Sequence, residues 1–141
     1  MKARKLVALV ALVIAVAVPV WAQQQVSEED YDAAMKSISA TVDGVNDQLE
    51  AQDAPSVGAS GKKFVDAFAK AEAFWKARNE EQATTLSMEA LAAARKFQEA
   101  GAAGNFDAAS TAYGELRATC RPCHMQYRER TESGYRIKQG Y

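Results

Sequence analysis

From Ser27 onward, apolar residues return every three or four positions, in four separate stretches. The first places Tyr31, Met35, Ile38, Val42, Val45 and Leu49 in steps of 4, 3, 4, 3 and 4, one stripe of a single helix. Ser27 stands where an N-cap is needed, and Glu28, Glu29 and Asp30 fill a first turn that favours negative charge. The second stripe reads Phe64, Phe68, Ala71 and Trp75, and a third helix is expected from Glu80 to about Ala100. The fourth opens on an Asn105 cap and carries Phe106, Ala109, Tyr113, Leu116, Cys120, Cys123 and Tyr127. Breaks are expected at Ala54-Pro55-Ser56 with Gly58 and Gly61, at Arg78-Asn79, and at Gly101 and Gly104. Either of the last two glycines can take the left-handed conformation that ends a helix. Pro122 lacks an N–H and predicts a kink or local break near Ala118.

Ala, Glu, Lys and Gln are plentiful and runs of Val, Ile and Thr are few, which favours helix throughout. The pattern predicts an all-α fold, an antiparallel four-helix bundle with helices about 30 Å long. The tail from Ser133 to Tyr141 has two glycines and no period, so packing back and fraying both stay open.

The N-terminus changes the domain boundaries. Lys2, Arg4 and Lys5 precede an unbroken apolar run from Leu6 to Val18, and Val20-Trp21-Ala22 closes it with a small residue. This is the layout of a secretory signal over residues 1–22, cleaved after Ala22. The run is short of the roughly 20 residues a membrane span needs. Residues 23–141 then form one domain with 14 basic and 18 acidic residues. No basic stretch is dense enough to suggest nucleic acid or an anionic membrane as partner. Export permits a disulfide.

Both cysteines and the single histidine of the chain fall within Cys120-Arg121-Pro122-Cys123-His124. A disulfide would close a very small loop and leave His124 without a role. Zinc wants four ligands, and the chain offers three. A thioredoxin-like pair expects a βαβ context. Covalent haem uses all three residues: two thiols three apart on one helical face attach the porphyrin, and the next residue offers its imidazole to iron.

The segment FDAASTAYGELRATCRPCHMQYRER, with its C-terminal CxxCH followed by Tyr127 and Arg128, resembles the final helix of class II c-type cytochromes, the cytochrome c′ family. YDAAMKSISATVDGVNDQLE is similar to that family's first helix. The resemblance covers most of residues 23–141, with the specific motif confined to the haem helix. It implies one covalent haem c on the C-terminal helix of the bundle, held by Cys120 and Cys123, with His124 as proximal iron ligand. It also implies Arg128 near the proximal face and Met35 at the distal face. Leu116-Arg117 stands where the family often has Leu-Gly. Asp32 stands near the family's first-helix arginine, which puts the usual propionate partner there in question.

With one histidine, the sixth iron position takes another ligand or none. Met125 adjoins His124 and cannot reach the far face, and Met88 has no motif around it. Met35 either ligates the iron, the reading towards which Met35-Lys36 tilts, or lines an open distal face. The first suits electron transfer. The second suits a five-coordinate haem protein that binds small gases such as nitric oxide or carbon monoxide. The expectation is a periplasmic, non-enzymatic electron carrier that meets periplasmic redox partner proteins, with no catalytic residues. The gas binder is the alternative, and a haem-free helical interaction module with a CxxC disulfide is the remote one. Homodimers are common in the family; the stripes here cover only one core, so oligomeric state stays open.

Overall fold

The computed structural model describes residues 25–141; the expected signal segment lies outside the described residues. Four helices, α1 (Glu28–Glu50), α2 (Ala54–Ala77), α3 (Glu81–Ala102) and α4 (Phe106–Tyr127), pack against one another, followed by strands β1 (Arg128–Thr131) and β2 (Gly134–Ile137).

Three links of the same construction join the helices. Ala51, Arg78 and Ala103 end them in the right-handed region, and Gln52 (φ 51°), Asn79 (φ 57°) and Gly104 (φ 72°) turn left-handed. The next amide then bonds back five residues: Asp53 to the Gln48 carbonyl, Glu80 to Trp75 and Asn105 to Ala100, at 3.1, 3.2 and 2.9 Å. This is the Schellman arrangement, which satisfies carbonyls a helix end leaves open. The residue that closes each link also begins the next helix. Asp53 and Asn105 accept from the amides of Ser56 and Ala108, and Ser27 forms a reciprocal capping box with Asp30 on α1.

The left-handed residue before α2 is therefore Gln52, and Ala54, Pro55, Ser56, Gly58 and Gly61 all lie inside that helix. Proline in a first turn costs no hydrogen bond that the helix would otherwise make. Gly101, expected to punctuate, is buried inside α3, and only Gly104 takes the left-handed role. A Cβ on Gly61 would fall 2.5 Å from Gln98 Cα, and one on Gly101 would overlap the Val57 side chain. These glycines let two helix backbones approach closely; they break nothing.

The core is aromatic at both ends. Phe64, Phe97 and Tyr113 cluster near the α2–α3 glycines, with ring centroids 5.7–6.2 Å apart. Toward the other end Tyr31 stacks on Phe74 at 4.3 Å and meets Trp75 edge-on, and Trp75 packs on Tyr127. α4 runs unbroken through Pro122, so the break expected near Ala118 does not occur.

The tail packs back. β1 and β2 form an antiparallel hairpin in which Arg128 pairs Ile137 and Thr131 pairs Gly134. Lys138 then closes the end of α4: its amide donates to the Tyr127 carbonyl and its Nζ to the Met125 carbonyl, both at 2.9 Å.

Candidate functional site: a cleft between the first and last helices

α2 packs closely on both α1 and α3, and α3 on α4, but α1 only grazes α4. Burial along the two stripes shows where they part. On α4, Ala109, Tyr113, Leu116 and Tyr127 are buried, while Cys120 and Cys123 between them are half-exposed. On α1, Tyr31, Ile38 and Val45 are buried, while Met35 and Val42 are half-exposed. The result is a cleft of about 280 Å³ that all four helices line.

One wall carries Cys120, Cys123 and His124 on α4; the other carries Met35, Ile38, Ser39 and Val42 on α1. Phe68 and Ala71 of α2 with Leu86, Ser87 and Ala90 of α3 make the floor. Two exposed arginines, Arg117 and Arg128, also line it, with Tyr31 and Thr119. The cleft thus brings together every site residue expected from the sequence: Cys120, Cys123, His124, Met35 and Arg128. Met88 and Met125 are exposed elsewhere, so Met35 is the methionine of the cleft among the described residues.

Arg128, expected within the final helix by the family resemblance, lies just past its end. The helix ends at Tyr127, and Arg128 is its extended C-cap (φ −110°, ψ 138°), not a further helical turn past His124. Its amide donates to the His124 carbonyl, and its guanidinium lies 4.0 Å over the Tyr135 ring of β2. Arg117 donates to the Tyr113 hydroxyl at 3.3 Å, so it is tied to the wall while its side chain meets solvent. Leu86, Ser87 and Ala90 were not singled out in the sequence. The signal was present as small residues at helical spacing, Ala83, Ser87, Ala90 and Ala94, all buried.

Tyr113 and Tyr31 stand at the two ends of the cleft. The Tyr113 hydroxyl donates to the Val42 carbonyl at 3.3 Å, tying α4 to α1 at one end of the cleft. At the other, Trp75 Nε1 donates to the Tyr31 hydroxyl at 3.3 Å. Burial, with the charge of Cys123 adding, pushes the Tyr31 phenol up to about 12, so it stays neutral.

The electrostatics of the motif narrow its chemistry. Both thiols are free. Burial pushes the Cys120 thiol up, and burial with the neighbouring Cys120 pushes Cys123 up to about 11. Both are neutral thiols at neutral pH, the reverse of the acidic thiolate a redox dithiol uses. Burial, with help from the Arg128 charge, lowers His124, which favours the neutral imidazole with a free lone pair. Among the described residues no three Cys, His, Asp or Glu side chains converge as a metal cage.

No family model, no curated protein and no solved structure matches this chain.

Proposed function

We propose that the chain is a class II c-type cytochrome, an exported electron carrier with one haem c in the α1–α4 cleft. The observation that carries this reading is that the two cysteines, between buried Leu116 and Tyr127 on the α4 stripe, stay half-exposed and share one largely apolar cleft with Met35. A bundle this size gains by burying such positions; leaving them open at a lined gap suits a large apolar group that completes the core.

The residues fit that group. Cys120 and Cys123 are neutral, unpaired thiols one helical turn apart, able to form two thioethers. His124 sits beside them as a neutral imidazole able to ligate iron. Ile38, Val42, Phe68, Leu86 and Ala90 give the apolar bed a porphyrin face needs. Arg117 and Arg128 in the cleft lining suit the two carboxylate arms of such a ring. Haem held there supplies an iron that cycles between ferrous and ferric states. The chain's own part is to fix the ring by its edge, exclude water from its faces and set the polarity around it. Met35 stands on the opposite wall as the candidate sixth ligand, a thioether that raises the potential and disfavours added ligands.

The test is expression in a host competent in cytochrome maturation. The purified chain should be coloured, with the chromophore retained after denaturation; Cys120→Ala with Cys123→Ala should leave no covalent colour. A colourless wild-type protein sinks the reading. Met35→Ala should turn a low-spin spectrum high-spin and admit carbon monoxide to the reduced protein. If wild type already binds carbon monoxide readily, Met35 only lines the cleft and the gas-binding alternative holds.

A further inference from the structure

Charge is divided unevenly along the chain. Residues 25–116 hold eight lysines and arginines against sixteen carboxylates, while residues 117–141 hold six against two. The kind of cation changes at the same place: six lysines and two arginines in the first part, five arginines and one lysine in the second. Among the described residues, Arg136 is the one cation of this last segment in a salt bridge, to Glu129 at 2.6 Å. Arg117, Arg121, Arg128 and Arg130 are exposed and pair with no carboxylate among the described residues.

A second observation falls on the same segment. Four large apolar side chains are exposed among the described residues, and Met125 (66%), Tyr135 (55%) and Tyr141 are three of them. They are interleaved with the arginines: Arg121 Nε donates to Met125 Sδ at 3.4 Å, and Arg128 covers the Tyr135 ring. Spacing of i, i+4 sets Arg117, Arg121 and Met125 in one row of α4 beside Cys120 and His124.

We infer that this collar of arginine, tyrosine and methionine around the cleft is the docking surface for an acidic protein partner. The inference rests on the electron-carrier reading and names the partner of that same cleft. Arginine, tyrosine and methionine are the residue types enriched where proteins meet, and lysine is depleted there. A guanidinium also matches a carboxylate with two parallel hydrogen bonds. A nucleic acid or an anionic bilayer suits the molecule less, because Glu129 and Glu132 interrupt the collar and the acidic body would face the same charged surface. A second copy offering its acidic body would make a head-to-tail contact, which gives rings or open chains rather than the commoner two-fold pair. Steering by the collar brings the partner to the cleft mouth, since Arg117 and Arg128 line the cleft itself.

The experiment measures binding of the exported chain to an immobilised copolymer of glutamate and tyrosine, an acidic and aromatic polypeptide. Binding is expected at low salt and should weaken by about tenfold on moving to physiological ionic strength. Arg121→Glu with Arg130→Glu should weaken it by at least about tenfold, while Lys63→Glu with Lys70→Glu, exposed on the acidic body, should leave it within about twofold. Should the paired Glu variant lose helix by circular dichroism, Arg121→Gln with Arg130→Gln replaces it, with a loss of about threefold expected. The surface is overturned by absence of binding at low salt, or by an equal loss in the lysine variant. Equally tight binding to vesicles of phosphatidylglycerol and phosphatidylcholine overturns it too, as does salt-sensitive self-association that accounts for the signal. The colour of the same sample separates the two readings: a colourless chain that binds sinks the cytochrome and keeps the surface, and a coloured chain that does not bind sinks the surface alone.

Discussion

Along α2 and α3 the backbones approach until Gly61 and Gly101 have no room for a Cβ, whereas α1 and α4 stand apart around a cleft of about 280 Å³. A short link joins α2 to α3 and none joins α1 to α4, but connection alone does not set how close two backbones come. Side-chain size does. Glycines stand at the contacts of the first seam, Gly58 against Ala102, Gly61 against the α3 backbone at Gln98 and Gly101 against Val57, so the helices close. Across the second, bulky Tyr31 and Tyr113 stand at either end, each set in an aromatic cluster, and half-exposed Met35, Val42, Cys120 and Cys123 lie between them. Closing that seam would need these tyrosines to leave their clusters.

The largest effect should come from forcing the tight seam open. Gly61→Ala must displace the α3 backbone at Gln98, at a cost of about 2 kcal/mol even after the gain in helix propensity. Gly114→Ala on α4, where a Cβ would meet nothing within 4 Å, should instead stabilise by up to about 1 kcal/mol. Denaturant unfolding of the two variants checks the sign of each. Equal effects would mean that the glycines of α2 and α3 are not there for close approach.

A smaller effect is expected at the open seam. Tyr113→Phe removes the hydroxyl that donates to the Val42 carbonyl and accepts from Arg117, costing about 1 kcal/mol. The loss should be local: amide exchange should quicken on α1 around Val42 and leave the α2–α3 seam protected.

The smallest lies outside both seams and serves as their baseline. The Ser56 hydroxyl and amide hold the Asp53 carboxyl below the ordinary aspartate value. A carboxylate with a lowered folded pKa adds stability that is fully present above its unfolded pKa and lost as pH falls through the folded one. The wild-type midpoint should therefore drop below about pH 4. Asp53→Asn, an equally good cap without a charge to lose, should shallow that drop without moving either seam.

The helices were legible because a stripe and its cap are local facts. Ser27, Asn105 and the spacing from Tyr31 to Leu49 need no knowledge of a partner. The glycines misled for the complementary reason. Their backbone freedom can be read from sequence, but the value of a missing Cβ depends on which helix lies opposite. The floor residues Ser87 and Ala90 are small and barely register in a hydrophobic pattern, and Leu86 stands beside them off that small-residue row. Four-residue strands are too short to show a period, so the hairpin and the extended Arg128 could not be read ahead. The motif residues were the easiest to pick out, yet nothing in their spacing says that the stripe stays half-exposed where they sit.

The three matching links also bear on the order in which the molecule assembles. Each joins a helix to its neighbour in sequence through three residues, so the α1–α2, α2–α3 and α3–α4 contacts all form between nearby parts of the chain. Local contacts of this kind give fast folding. The approach of α1 to α4 alone requires a loop to close over the length of two helices, with the entropy that entails. The walls of the cleft are thus the pair whose meeting costs the most chain entropy, so Cys120 and Cys123 are expected to come opposite Met35 after the links have set the local helix pairs.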